Sequence, residues 1–393
     1  MVLSYMNTNQ IKNKIENSII LPCLNEEKAI DLCLNKILDL REKLGHFEII
    51  VVDNDSIDQS LNIIKSFQKN NPEIVIVSES KKGYGSAYLA GFKKARGKYI
   101  YIADSDNTYS FSELISFKEK LEKGADLVVG NRFSKKMHKE SMSFSHRFIG
   151  NPILSLLVRI FFKVKIKDIH CGARAFSKEI LNNLDLRCSG MEFASEMIIK
   201  ASRLNLKIEE QAISYFPRLG ESKLKSFRDG WRHLRFILLY SPLFLFVIPG
   251  LSLFLLGIIG FIIFYLFDPT IFNITFDYHP LFLFTALLLS GYQLLIFGSF
   301  SKIYAINHLG DYNKLFDKLF KKIRIETVAP FAFLLILISI IIFVIVFIKW
   351  LSSDFTAFNE VENLLLALSL LVLGIETFFS AFMFSVLSIK KKD

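Results

Sequence analysis

Asp104-Ser105-Asp106 stands at the end of the apolar run Lys98-Tyr99-Ile100-Tyr101-Ile102-Ala103. Two carboxylates one residue apart, where a buried strand runs out, can face one hard cation while that cation holds a diphosphate. Mg2+ takes one or two protein carboxylates plus substrate phosphate oxygens, and Mn2+ suits the same oxygen ligands. The same triplet also caps ordinary loops, so it takes its meaning from its company.

That company lies at the ends of neighbouring apolar runs. Ile19-Ile20-Leu21-Pro22-Cys23-Leu24 ends at Asn25-Glu26, and Glu48-Ile49-Ile50-Val51-Val52 ends at Asp53. These runs predict strands over 17–24 and 47–53. Further strands are predicted over 74–78, 98–103 and 125–130, the last reaching Asn131-Arg132. Between the first two, Ala29, Ile30, Leu32, Leu34, Ile37, Leu38 and Leu40 recur at helical spacing and predict a helix over 27–44. Two more helices are predicted over 58–70 and 85–96. Strand and helix alternate, so the expected fold is α/β with a mainly parallel sheet covered on both faces. Ligands of such sheets bind beyond the carboxyl ends of the strands. Asn25, Glu26, Asp53 and Asp104 all belong to that edge, which points to a nucleotide site.

The second half of the chain has a different character. The 393 residues include 39 Phe, and the mean hydropathy of +0.36 is too apolar for a purely soluble protein of this length. A bilayer span needs about 20 apolar residues, and four stretches qualify, near 243–267, 281–306, 329–350 and 361–388. The first lies far from the N-terminus and reads as an anchor rather than a signal peptide. Arg232 and Arg235 precede it; Lys314, Lys318, Lys321, Lys322 and Arg324 lie between the second and third; Lys390, Lys391 and Lys392 follow the fourth. The opposite loops, 268–280 and 351–360, carry no Lys or Arg. The positive-inside bias therefore places the N-terminal domain and both termini in the cytoplasm. The net charge of +10 belongs in part to these membrane edges, where cations meet anionic lipid. No zinc-finger or aromatic RNA-binding pattern points to nucleic acid. Two amphipathic stretches, 146–163 and 224–241, suit helices lying at a membrane surface, although the first equally suits a core helix. Gly250, Gly257 and Gly260 in the first span would allow close helix contact or simply face lipid. The sparse charge of the spans favours an anchor or a homo-oligomer interface over a conduction path.

Other residue types carry weaker signals. Cys23, Cys33, Cys171 and Cys188 lack metal-ligand spacing and read as reduced packing residues. His170, before Cys171-Gly172, reads as a hydrogen-bonded structural histidine. Glu192 and Glu196 share a helix face at i,i+4. A carboxylate there would meet sugar hydroxyls, pair with Arg203, or cap the helix.

Six motifs in order now carry a resemblance: Pro22-Cys23-Leu24-Asn25-Glu26, Val52-Asp53-Asn54-Asp55-Ser56-Ile57-Asp58, Lys82-Gly83-Tyr84-Gly85, Asp104-Ser105-Asp106, Gly130-Asn131-Arg132-Phe133 and Gly220-Glu221-Ser222-Lys223. Over about 18–240 the chain resembles the family 2 glycosyltransferases of GT-A fold, in the polyprenyl-phosphate (dolichyl-phosphate) branch. The resemblance implies a Rossmann-like nucleotide-sugar domain, to which the four apolar stretches add a membrane domain of four helices, where many relatives have two. It divides the chain into an N-terminal extension (1–17), a catalytic domain (18–223), a juxtamembrane amphipathic helix (224–242) and the transmembrane domain (243–393).

The resemblance also implies roles. Pro22, Asn25, Glu26 and Asp53 would hold the base and ribose of a UDP- or GDP-linked donor, with Lys82 and Gly83 lining the same pocket. Asp104 and Asp106 would carry Mg2+ or Mn2+ and face the donor sugar. Arg132, also placed among the catalytic groups, would meet the acceptor phosphate together with Arg147 and Asn151. Arg218, Ser222 and Lys223 would close over the diphosphate. Three positions depart from the family pattern: Asn54 where Asp is common, Thr108 where Gln is common, and Cys171 where Ser is usual.

A polyprenyl phosphate, with a second pKa near 6, is largely an anionic nucleophile at cytoplasmic pH. It needs alignment rather than a general base. In-line attack would invert the anomeric centre and turn an α-linked donor into a β-linked polyprenyl phosphosugar. Two alternatives stand beside this reading. A processive polysaccharide synthase would carry Gln-x-x-Arg-Trp before its channel helices, and Gly230-Trp231-Arg232-His233 does not supply it. A non-catalytic membrane scaffold or flippase component would have no need of Asp104, Asp106 and Lys223.

Overall fold

Runs rich in β-branched and aromatic residues build the centre of a seven-stranded sheet. The structure, a computed structural model, describes residues 15–135, 137–138, 140–220, 226–267, 269–271, 274–308, 325–353, 355 and 360–388. Two compact units result, Met1–Ile237 and Leu238–Asp393.

In the first unit, β1 (Asn17–Cys23), β2 (Phe47–Asp53), β3 (Ile74–Ser78) and β4 (Tyr99–Ile102) run parallel. They are followed by β5 (Leu127–Asn131), β6 (Arg174–Ser177) and β7 (Ile208–Ala212), and the spatial order is β3-β2-β1-β4-β6-β5-β7. Every residue of β2 is buried, as a strand covered on both faces requires. The covering helices are α1 (Ile30–Leu38), the single turn α2 (Arg41–Leu44), α3 (Ser60–Asn70), α4 (Tyr84–Lys94), α5 (Leu114–Glu122), α6 (Asn151–Phe162), α7 (Ile180–Leu184) and α8 (Phe193–Arg203). A longer helix, α9 (Ser226–Leu239), follows.

Three differences from the sequence expectation matter for the site. The helix expected over 27–44 breaks after Leu38 into α1 and α2. Strand β6 was not anticipated, and it runs antiparallel between β4 and β5. Four residues headed by an arginine have too short a period to register as a strand, and only its neighbours supply its ladder. The stretch at 146–163 is not one helix either. A wide π-helical turn at His146–Gly150 leads into α6. Phe148, Ile149, Ile153, Leu156 and Ile160 are exposed along it, the apolar face expected of an interfacial helix.

In the second unit, four helices are long and apolar enough to cross a membrane: Leu243–Leu266, His279–Asn307, Ile325–Ser352 and Val361–Leu387. They contain α10 (Ile248–Leu266), α11 (His279–His308), α12 (Ile325–Ser352) and α13 (Val361–Leu387). The glycine stripe of the first span is spent within the chain. A Cβ on Gly257 would sit 2.3 Å from the backbone nitrogen of Leu288 on α11. Between α12 and α13, the Ser339 hydroxyl donates to the Ala367 carbonyl at 2.7 Å. The basic residues at 314–324 and 390–392 lie outside the described residues, as does most of the extension 1–17.

Candidate active site

The register of the parallel strands brings the acidic edge together. Cys23 pairs with Asp53 across β1 and β2, and Ile20 with Ile102 across β1 and β4. Beyond β4 the chain stays beside β1: Ala103 N–H donates to Ile20 O at 3.3 Å and the Ser105 hydroxyl to Pro22 O at 2.5 Å. The middle residue of the Asp-x-Asp triplet thus anchors it, and the flanking carboxylates are left to do chemistry.

The two carboxylates are held differently. Asp106 Oδ1 accepts from the Thr108 backbone N–H at 3.2 Å and from its hydroxyl at 2.6 Å. Thr108, which departs from the family pattern, fixes the Asp106 rotamer. Asp104 lies beside the Tyr84 hydroxyl next to Gly172, while its buried Oδ1 has no partner among the described residues. Burial and the nearby Asp106 charge push the Asp104 carboxyl up to about 6, against the lowering effect of the neighbouring Tyr84 hydroxyl. Gly172 closes the other side: a Cβ there would lie 2.6 Å from Asp104 Oδ2.

Around them sits the candidate nucleotide pocket. Glu26 is buried, and its N–H donates to the Ser60 hydroxyl at 2.8 Å. Asn25 takes positive φ (52°), and its side-chain oxygen accepts from Ile57 N–H at 2.8 Å. Its side chain therefore closes the loop after β2. Asp53 Oδ1 accepts from Ser56 N–H at 3.3 Å in that same loop. Lys82 is exposed and ion-paired with Asp55 at 3.2 Å. Gly83 has φ +150°, and a Cβ would stand 2.2 Å from the Ser189 carbonyl oxygen. Only glycine fits there.

Asn54 has a structural use that an aspartate would not reproduce. Its amide donates to the Glu79 and Lys81 carbonyls at 2.7 and 2.9 Å, and its oxygen accepts from Gly83 N–H at 2.8 Å. The departure at Asn54 thus serves the loop that carries Lys82 and Gly83.

Arg132 is less available than its motif suggests. Buried Asp168 accepts from its backbone N–H at 3.1 Å, from Nε at 2.7 Å and from Nη2 at 2.8 Å. The guanidinium also lies 5.2 Å from the Tyr215 ring centroid. Arg147 stacks 5.2 Å over Phe148 in the π-helical turn, and the Asn151 amide donates to Met142 Sδ at 3.4 Å. Arg218 forms ion pairs with Glu26 and, at 3.4 Å, with Asp106. Lys223 and Ser222 lie outside the described residues. Glu192, at the start of α8, folds over Gly190, and its Oε2 is buried without a hydrogen-bond partner among the described residues.

Arg174 carried no signal in the sequence, and Glu196 takes a partner other than Arg203. Buried Arg174 donates to the carbonyls of Cys171, Ala194 and Ile169 at 2.9, 2.7 and 2.7 Å and so shapes the loop against Asp104. Glu196 accepts from Arg187 and Cys188 N–H groups and pairs with Lys200 at 2.9 Å, not with Arg203. It holds the strand of backbone whose carbonyls press on Gly83 and Gly85. The i,i+4 spacing of Glu196 and Lys200 was the available signal.

His170 corrects an expectation. Neither ring nitrogen has a hydrogen-bond partner among the described residues. Instead the ring packs edge to face on His233 at 4.4 Å, and His233 Nδ1 lies 2.9 Å from the Ser195 hydroxyl. Burial, and then the neighbouring His233, keep His170 neutral, far below the usual histidine range. Cys23, Cys33 and Cys171 are free thiols pushed up to about 12 by burial, so they pack rather than react.

Comparison with known proteins gives the family. The model of glycosyl transferase family 2 matches residues 18–185, and that of the family 2 C-terminal transmembrane region matches 299–388. The low-salt glycan biosynthesis hexosyltransferase Agl6 of Haloferax volcanii is 32% identical over 93% of this chain and 87% of its own length. The dolichol-phosphate mannosyltransferase of Pyrococcus furiosus is 29% identical over 53% of this chain and 59% of its own. With a carboxylate-lined α/β sheet edge, four membrane-length helices and a relative matched over nearly its whole length, the chain belongs to glycosyl transferase family 2 and is a membrane-bound glycosyltransferase.

Proposed function

We propose that this enzyme transfers a sugar, with inversion, from a UDP- or GDP-linked donor to the phosphate of a membrane polyprenol, dolichyl or undecaprenyl. The observation that carries the reading is the clustering of Asp104, Asp106, Glu26 and Asp53 at one parallel-sheet edge. The mannosyltransferase relative and the exposed apolar face of α6, with Arg147 in the π-helical turn before it, support a lipid acceptor.

Asp104 and Asp106 fit a divalent ion of the kind that takes few protein ligands. No cluster of three or more His, Cys, Asp or Glu suited to a metal occurs among the described residues. Two carboxylates, one with an orphaned buried oxygen, match Mg2+ or Mn2+ completed by diphosphate oxygens. When bound, such an ion offsets the charge of the leaving nucleoside diphosphate.

The remaining work falls to the chain. Glu26, Asp53 and Asn25 shape the nucleoside pocket, and the Asn54-braced loop presents Lys82 and Gly83. Arg218 and Lys223 serve the diphosphate. Arg132, held rigid by Asp168, orients the acceptor phosphate with Arg147 and Asn151, since a planar guanidinium binds phosphate oxygens in pairs. Glu192 meets sugar hydroxyls. The Lys and Arg distribution supports a cytoplasmic catalytic domain.

The test is a donor screen on the full chain in detergent, with Mg2+ or Mn2+ and either lipid phosphate. Labelled sugar extracted into organic solvent from one donor, and lost in Asp106→Ala, is the expected result. Folded protein that labels neither lipid with any UDP- or GDP-sugar overturns the acceptor assignment.

A further inference from the structure

Arg218 lies 192 residues from Glu26 in sequence, yet its guanidinium bridges Glu26 and Asp106. Both acids belong to the donor site as read above: one to the nucleoside, the other to the divalent ion. The segment that brings Arg218 there is tied to the loop after the Asp-x-Asp triplet. Phe216 N–H donates to Thr108 O at 2.9 Å, Leu219 N–H to Asp106 O at 3.3 Å, and Tyr215 bridges Tyr109. Its backbone is therefore fixed beside Asp106, and movement of Arg218 is movement of a side chain. The two carboxylates supply its ion pairs, while Nε is buried without an acceptor among the described residues. Gly220 follows at φ +95°.

Asp106 Oδ1 is already taken by Thr108. Oδ2, the oxygen left for an ion, is the one that Arg218 faces. A guanidinium and a divalent cation repel one another, so each weakens the other's hold on that oxygen. A diphosphate, by contrast, offers a guanidinium paired oxygens at least as suitable as a carboxylate.

We propose that Arg218 is an exchangeable internal cation: it competes with the divalent ion for Asp106, and the donor's diphosphate draws it away. This rests on the donor-site reading of Asp106 and Glu26. Ion binding becomes conditional on the donor, and by linkage the donor is favoured by the ion. Arg218 is thus a positioning residue for the order of assembly, and it discourages the ion from binding without its substrate.

The test reads binding of Mn2+ alone, as loss of the free-ion electron paramagnetic resonance signal, by full-length protein in detergent. Arg218→Gln is expected to bind Mn2+ at least about tenfold tighter than wild type, within the usual range of site coupling. Arg218→Lys, which keeps the charge, is expected to stay near wild type. Adding Asp106→Asn to Arg218→Gln should abolish the gain. Lys36→Gln removes a charge bonded to Asn107, next to Asp106, and is expected to change Mn2+ affinity less than about twofold, as a screened surface charge. A parallel titration with UDP and GDP in chelator should show Arg218→Gln weaker than wild type by about fivefold or more. Equal Mn2+ affinity of wild type and Arg218→Gln, at matched melting temperatures, overturns the exchange. A gain that survives Asp106→Asn, or that Lys36→Gln reproduces, reduces it to general electrostatics and overturns it too. If wild type binds neither nucleotide, and no Mn2+ even with them present, the donor-site reading itself fails.

Discussion

Replacing Asp168 with alanine strips a buried guanidinium of its counter-ion. Asp168 has no exposed surface and accepts three N–H groups of Arg132, at 2.7, 2.8 and 3.1 Å. Breaking a buried pair by removing one partner costs about 3–5 kcal/mol, because the other charge stays buried and uncompensated. In a unit of this size each kcal/mol lowers the melting temperature by about 2–4 °C, so Asp168→Ala should melt about 6–20 °C below wild type. Thermal unfolding of the full chain in detergent, followed by near-ultraviolet circular dichroism, measures it. The double variant Arg132→Met/Asp168→Leu should recover most of that loss, since apolar replacements remove the desolvation penalty with the pair. On the proposed acceptor reading it should nevertheless fail to transfer sugar, because Arg132 is the guanidinium assigned there to the acceptor phosphate. An Asp168→Ala protein melting within about 2 °C of wild type would refute the reasoning, for it would mean that Arg132 reaches water.

Three further outcomes follow from the same geometry. Gly83→Ala forces a Cβ to 2.2 Å from Ser189 O at φ +150°, so it should cost more than about 1 kcal/mol and weaken donor binding, as calorimetry would show. Asn54→Asp exchanges two donated hydrogen bonds, to Glu79 and Lys81 carbonyls, for carboxylate–carbonyl repulsion. A loss of about 2–3 kcal/mol and a raised donor KM are expected from melting and kinetics. Burial holds His233 down to about 4, against about 6.5 unfolded. Its contribution is intact above about 6.5 and is lost as pH falls toward 4, by up to about 3 kcal/mol. Asp104, raised to about 6, works in the opposite sense: its contribution is present at low pH and lost as pH rises through about 6. Melting curves of wild type and His233→Asn from pH 7 to 5, with chelator, separate the two. The variant should resist acid better, and parallel curves would exclude the histidine as the cause.

The sequence by itself determined the features set by near neighbours along the chain. Apolar runs such as Ile49–Val52 specify buried parallel strands, a period of 3.6 specifies the helices between them, and four long apolar stretches specify spans. Asp104 and Asp106 were legible because a strand end is a local event and the sheet edge follows from alternation. The tertiary structure decided everything that depends on which loops meet. Arg132 finds Asp168 across 36 residues, Arg174 finds the carbonyl of Ala194, and Arg218 reaches Glu26 across 192. Strand β6 exists only because β4 and β5 offer it a ladder on either side. A buried polar group must be paired, but its own residue type does not name the partner. That choice is made when the chain closes, by the separation and direction that packing imposes, and so one arginine meets a single buried carboxylate while another bridges two.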